Sequence, residues 1–174
     1  MYTVDELDTV VELEDVPQSS VGAPCPMILC GEHSVHLAYF REFPNEDEME
    51  SVRNGREYEK EDACLLLKFS FCYAHIFGPP NEEAIHGHPL ARRGLSPFGV
   101  FEVKNSSWIR GLEVMNRVHA NHKPERFQKL RHFIFTFHDS TFECVAHDFV
   151  WSKHAGSVSN VLRNSWPEGY YSNL

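Results

Sequence analysis

The chain lacks any long run of apolar residues. Its apolar stretches, such as Cys64–Leu67, are far shorter than the roughly 20 residues that a membrane-spanning helix needs. The N-terminal stretch MYTVDELDTVVELED is acidic and has neither a basic start nor an apolar block, so we expect no signal peptide there. These absences predict a soluble protein with no membrane partner and a cytoplasmic location.

Cysteine is scarce, and its spacing excludes the common paired-cysteine metal sites. The chain has five cysteines, an odd number, and none belongs to a C-x-x-C motif. Several lie in strand-like segments, where a free thiol behaves as a small apolar side chain. We therefore expect a reducing environment, with a bridge between Cys25 and Cys30 as the one alternative that close spacing leaves open.

Basic residues are fewer than acidic ones, 16 against 25, and the net charge is −9. With a pI near 5.6, the chain does not have the overall charge of a nucleic-acid-binding protein. Residues 92–131 are the exception, because they contain nine bases and three acids. This segment predicts a local basic patch for a small anion or an acidic protein partner. The alternative is a solvated surface of mixed charge.

The sequence also lacks the motifs of common catalytic sites. It contains no G-x-S-x-G, no phosphate-binding Walker loop, no dinucleotide fingerprint and no H-E-x-x-H. The run His138-Asp139-Ser140 has the residue types of a catalytic triad, but neighbouring strand and turn residues point apart. We therefore expect turn residues there and no clear catalytic machinery.

The most regular segment is Arg131–His147, RHFIFTFHDSTFECVAH, which predicts a β-hairpin. With a turn at Asp139-Ser140, Phe135 lies opposite Cys144 and His132 lies opposite His147. Because strand side chains alternate, one face is apolar and the other polar. The apolar face carries Phe133, Phe135, Phe137, Phe142, Cys144 and Ala146. The polar face includes His132, His138, Glu143 and His147.

Other segments predict further strands and two short helices. Alternation or β-branched residues indicate strands at 9–13, 27–30, 34–40 and 98–104, and one long strand over 63–77. Helical spacing over 107–119 follows the N-cap residues Asn105-Ser106-Ser107. Pro124 suits the start of a second helix, and a helical turn is indicated near 158–163. The predicted fold class is α+β: a mainly antiparallel β-sheet, sandwich- or half-barrel-like, covered by one or two short helices. We expect one sheet to contain 63–77, 98–104 and the hairpin, with the 107–119 helix on its phenylalanine face.

We interpret residues 1–174 as a single domain with two unusual segments. Residues 44–62 hold eight acids and three bases, which is typical of an exposed acidic excursion. Residues 78–97 hold four prolines and three glycines, so they form a long loop. Apolar residues within this loop favour order, and long ordered loops are often functional.

The long loop contains the sharpest chemical motif, His86-Gly87-His88, which is separated from Glu82-Glu83 by the two residues Ala84 and Ile85. Imidazoles with a carboxylate suit zinc, or iron if two positions stay open. The hairpin's polar face offers further ligands, and the predicted metal set is therefore His86, His88, His138 and Glu143. No cofactor is assured by this motif, because short motifs are nonspecific. The alternative is a surface loop whose histidines hydrogen-bond to the backbone.

Arg92-Arg93, in the same loop, offers paired guanidinium groups for a carboxylate or phosphate. The predicted ligand-binding set is Arg92, Arg93, His138 and Glu143.

Two hypotheses follow. The first is a ligand- or protein-binding domain that grips its ligand through the 78–97 loop. The alternative is a metal-dependent hydrolase or oxygenase. The aromatic residues Trp166, Tyr170 and Tyr171 leave self-association into a homo-oligomer open.

Overall fold

The computed structural model describes residues 2–42 and 63–166. Nine strands and two α-helices account for about half of this part of the chain. The predicted acidic excursion at 44–62 lies outside the described residues, as do Tyr170 and Tyr171. In chain order the elements are β1 (Thr9–Glu12), β2 (Met27–Cys30), β3 (Val35–Phe40), β4 (Cys64–Ser70), β5 (Ala74–Gly78), β6 (Val100–Lys104), α1 (Ser107–Asn116), β7 (Arg131–Thr136), β8 (Thr141–Ala146), β9 (Asp148–His154) and α2 (Val158–Ser165). Short 3-10 helices occupy Ile85–Gly87, Ala91–Arg93 and Pro124–Lys129.

The strands form two antiparallel sheets. The five-stranded sheet has the order β1-β6-β7-β8-β5, and the four-stranded sheet has the order β2-β3-β4-β9. This arrangement confirms the predicted α+β class with mainly antiparallel sheet. The expectation of one sheet for 63–77, 98–104 and the hairpin was wrong, because β4 belongs to the four-stranded sheet and β5 to the other.

The largest core cluster lies between the two sheets and is rich in phenylalanine. Phe69 of β4 packs against Phe133, Phe135 and Phe142 of the hairpin, with ring centroids 5.4–6.1 Å apart. Edge and tilted ring pairs of this kind stabilise a core beyond the area they bury. The four-stranded sheet, not the 107–119 helix, therefore covers the hairpin's phenylalanine face.

The segment 63–77 changes sheets at a corner between β4 and β5. Phe71, at the corner, adopts a left-handed backbone conformation with φ of 51°. Alternation continues through the corner, which is why the sequence suggested a single strand. The chain turns because Ser70 pairs with β9, while Ala74 pairs with β8.

The hairpin forms as predicted, but its register differs by two residues. Phe135 lies opposite Phe142, and Phe137 N–H donates to the Ser140 carbonyl at 2.8 Å, so the turn is His138-Asp139. A shift of two residues preserves which side chains share a face. The predicted faces are therefore correct, whereas His132 lies opposite Val145 and not His147.

The hairpin's polar face is buried rather than solvated. His132, Glu143 and Thr136 are all less than 4% exposed. This outer face is covered by α1, by the 78–97 loop and by residues 2–8, which we call the N-terminal segment. Ser106 caps α1 by accepting a hydrogen bond from Ile109 N–H at 3.3 Å. The helix ends at Asn116, three residues before the predicted end.

The outer face of the four-stranded sheet is covered by α2, which extends the predicted turn at 158–163. Its residues Val158, Val161 and Leu162 pack in one cluster with Phe40 and Leu66 of the sheet. Within residues 2–42 and 63–166, no helix is long and apolar enough to cross a membrane.

All five cysteines lie in the described residues, and none of them forms a disulfide bond. Cys25 and Cys30, the pair for which close spacing left a bridge open, are both exposed and unbridged. Cys64, Cys72 and Cys144 are buried, as expected for thiols that act as small apolar side chains.

Phe135→Ala tests the position of the core. Phe135 is 1% exposed, so its truncation should lower the free energy of unfolding by about 3–5 kcal/mol through lost burial and a residual cavity. Phe77→Ala is the matched control. Phe77 is 38% exposed at the sheet edge, so its truncation should lower the free energy of unfolding much less. Equal losses in a urea titration would show that the core does not lie between the sheets.

Candidate functional site

The carboxylate of Glu143, on β8, lies at the centre of the covered outer face. The residue is 3% exposed and accepts three side-chain hydrogen bonds. Oε1 accepts from His88 Nε2 at 2.9 Å, and Oε2 accepts from Tyr2 O–H at 2.7 Å and from His132 Nε2 at 3.1 Å. The three donors come from the long loop, the N-terminal segment and β7.

The hydrogen bonds of His88 define its tautomer. Its Nδ1 accepts from Leu90 N–H at 3.1 Å, so the ring proton resides on Nε2, which donates to Glu143. Both ring nitrogens are therefore engaged while the imidazole is neutral. The contact with Leu90 also fixes the loop immediately before Arg92.

His132 has an equivalent environment on the other side of the carboxylate. Its Nδ1 lies 2.9 Å from Ser106 Oγ, the same oxygen that caps α1. Burial lowers the pKa of His132, although the bond to Glu143 opposes this effect. A neutral ring that accepts from Ser106 and donates to Glu143 satisfies all three groups.

Glu143 remains ionised despite its burial. Burial by itself raises its pKa, but the hydrogen bonds from His132 and His88 outweigh this effect and lower the pKa to about 2. Burial and the neighbouring Glu143 charge raise the pKa of Tyr2, so the phenol stays a donor. The cluster is one buried negative charge held by three neutral donors.

The N-terminal segment is fastened at both ends. Tyr2 stacks on Trp108 of α1 with ring centroids 5.1 Å apart, in addition to its bond with Glu143. Asp8 is buried, and its carboxylate accepts from Ser107 N–H at 2.7 Å at the start of α1. A carboxylate at a helix N-terminus is favourable because the free amides there carry partial positive charge.

A cleft with a volume of about 530 Å³ lies between the N-terminal segment and the long loop. Arg92 and Arg93 line it, and both are exposed. Its other lining residues are Tyr2, Thr3, Val4 and Pro89, and among the described residues no acidic side chain contributes to the lining. The Arg93 guanidinium also lies 3.4 Å from the Glu6 carbonyl oxygen. The cleft therefore combines two positive charges with one rigid aromatic wall.

The structure brings together only part of the predicted site. His88 and Glu143 are in direct contact, and His132 joins them. His138 lies in the hairpin turn, with its Nδ1 3.3 Å from a Glu82 carboxylate oxygen.

The remaining predicted residues lie elsewhere. His86 is exposed, unlike its neighbour His88. His147, once expected opposite His132, stacks on Phe71 instead. Tyr2 and Ser106 were missed as site residues, because neither belongs to a motif with His88 or Glu143; only the cap preference of Ser106 was visible in the sequence.

The cluster around Glu143 does not have the form of a metal centre. In the part of the chain that the structure describes, no three His, Cys, Asp or Glu side chains are placed to hold a metal ion. Both imidazoles direct Nε2 at the carboxylate, and both Nδ1 atoms have partners of their own. A metal would have to displace these hydrogen bonds.

The fold places the chain in the class of α+β proteins built from two antiparallel sheets with helices on their outer faces. No protein-family model matches the chain. No curated protein matches its sequence, and no solved structure matches its fold.

The buried cluster predicts that stability falls with acid in two stages. His132 has a lowered pKa, so below pH 6.5 the unfolded chain takes up a proton that the folded chain does not, and His36, whose pKa burial lowers to about 4, adds to this stage. The stabilisation from Glu143 is complete above pH 4.5 and is lost as pH falls towards 2, by roughly 3 kcal/mol.

Urea titrations of the wild type and Glu143→Gln between pH 7 and 2.5 measure this. In Glu143→Gln, the free energy of unfolding should fall less steeply below pH 4.5 than in the wild type. Glu83→Gln, at an exposed glutamate, should leave this dependence unchanged. Identical acid limbs for wild type and Glu143→Gln would contradict an ionised Glu143.

Proposed function

We propose that this chain is a ligand-binding domain that takes a small anion in the cleft between the N-terminal segment and the 78–97 loop. The observation that carries the proposal is the pair Arg92 and Arg93, both exposed at one cleft whose described lining holds no acid. Guanidinium groups bind carboxylates and phosphates through two parallel hydrogen bonds. The volume of about 530 Å³ is in the range of small-molecule sites.

The two walls of the cleft are anchored to the same buried carboxylate. On one side, Tyr2 donates directly to Glu143. On the other, His88 donates to Glu143 and accepts from Leu90, which is fully buried beside the arginines. A ligand that enters a preformed cleft orders less of the protein, so more of its contact energy appears as affinity.

The Arg92→Gln, Arg93→Gln double variant tests this proposal. Inorganic phosphate and citrate, titrated into the ¹⁵N-labelled protein, should shift resonances of Thr3, Val4 and residues 92–93. The double variant should bind at least tenfold more weakly, since a hydrogen bond to a charged group contributes about 1.5–3 kcal/mol. Arg163→Gln, at an exposed arginine of α2, is the charge-matched control for one substitution and should leave binding unchanged.

If Arg163→Gln weakens anion binding equally, the weaker binding of the double variant would be due to the lower net positive charge and not to the cleft. Binding that does not involve residues 92–93 at all would overturn the proposal. If neither anion binds but Arg92→Gln, Arg93→Gln abolishes capture of an acidic peptide, the cleft serves a protein partner instead.

The second candidate is the metal-dependent enzyme, and the observation that favours it is the 2.9 Å contact between His88 and Glu143. Because every ring nitrogen of His88 and His132 is already engaged, we expect less than stoichiometric zinc or iron in protein purified without added metal. Elemental analysis measures this.

Stoichiometric metal that disappears in His86→Ala, His88→Ala, but persists in the exposed control His119→Ala, would establish the metal site that the enzyme hypothesis requires. A circular dichroism spectrum of the double variant must show that its fold is retained.

A further inference from the structure

A second cavity, whose described lining includes no residue of the 78–97 loop, lies where the β4–β5 corner meets the 3-10 helix Pro124–Lys129. Its volume is about 400 Å³. The lining combines ring side chains with cations and an amide, and the described lining includes no acidic residue. The residues that matter for the argument are Phe71, Tyr73, Asn116, Arg126, Lys129 and His147.

The cations of this aromatic–basic cavity are placed by helix geometry. A 3-10 helix has three residues per turn, so Arg126 and Lys129 lie on the same side of it. The next side carries Phe127 and Leu130, which are buried against Val145 and hold the helix in place. Within the described residues, neither Arg126 nor Lys129 forms an ion pair, so both charges are available to a ligand.

The aromatic wall is held at the corner where the chain changes sheets. Phe71 adopts φ of 51°, which is unfavourable for a bulky residue, and its ring stacks with those of His33 and His147. The ring centroids are 5.3 Å and 4.9 Å from Phe71, with interplanar angles of 18°. Tyr73 is 38% exposed and meets Phe127 at 71°. This wall presents ring surface to the cavity.

We propose that the aromatic–basic cavity binds a planar ring that carries an anionic group, the chemistry of a nucleoside monophosphate. The ring would pack against Tyr73 and His147, and the phosphate would meet Arg126 and Lys129. Aromatic side chains stack on bases of any kind, while paired cations select the phosphate. The volume fits one small ligand of this size. The proposal is independent of the cleft at Arg92 and Arg93.

Three probes separate the two halves of the ligand: AMP, adenosine and ribose 5-phosphate, each titrated into the full ¹⁵N-labelled chain. AMP should shift resonances of residues 71, 73, 126, 129 and 147 saturably in the millimolar range. Arg126→Gln, Lys129→Gln should weaken AMP and ribose 5-phosphate about tenfold and leave adenosine unchanged. Tyr73→Ala should weaken AMP and adenosine and leave ribose 5-phosphate unchanged.

Two controls keep the result interpretable. Lys123→Gln removes a nearby exposed cation that does not line the cavity, and it should have no effect. Arg92→Gln, Arg93→Gln should also leave AMP binding unchanged, whereas loss of AMP binding in that variant would assign the phosphate to the first cleft and overturn this inference.

The absence of saturable shifts at residues 71, 73 and 147 would also overturn the inference. A single-stranded oligonucleotide that binds much more tightly than AMP would do so too, because it would indicate a strand-binding surface. The charge variants lie on an exposed helix face, so they test the site even if Tyr73→Ala does not fold.

Discussion

The structure depends on one buried carboxylate. Removing an ionised glutamate from water costs several kcal/mol unless hydrogen bonds compensate for the lost hydration. Here Tyr2, His88 and His132 supply three donors, and they come from three separate stretches of chain. The same charge that would destabilise an unpaired site therefore fastens the N-terminal segment, the long loop and β7 to each other. Through Ser106 the connection extends to the cap of α1.

This arrangement leaves the buried polar groups of the hairpin's polar face engaged with one another. A chain of hydrogen bonds links Ser106 to His132 and His132 to Glu143, as in a catalytic triad. However, Ser106 is only 3% exposed, and its hydroxyl oxygen caps α1. A nucleophile needs access to the substrate and a general base that can accept its proton. The buried groups satisfy one another, and the groups available to ligands lie outward, at Arg92 and Arg93.

The two ligand sites proposed share a structural principle. Each places a pair of cations on a short 3-10 helix, Ala91–Arg93 or Pro124–Lys129, beside an aromatic wall. In both cases buried residues on or next to the helix, Leu90 in one and Phe127 in the other, anchor it to the outer face of the same sheet. The five-stranded sheet therefore acts as a rigid base whose covering segments carry the charges.

The sequence by itself determined which side chains share a face, because strand alternation depends only on local geometry. That is why the faces of the hairpin and the strands β1 to β3 were predicted correctly. The start of α1 at Ser107 was predicted from the cap residues before it. Period-two alternation shows which side chains share a face, but it does not show which strands pair with each other. The division of residues 63–77 between two sheets was therefore not predictable. A register shift of two residues leaves every face unchanged, and the turn at His138-Asp139 was missed for that reason. The burial of Glu143 was decided only by tertiary structure, since Tyr2, 141 residues away, must fold over the sheet to reach it.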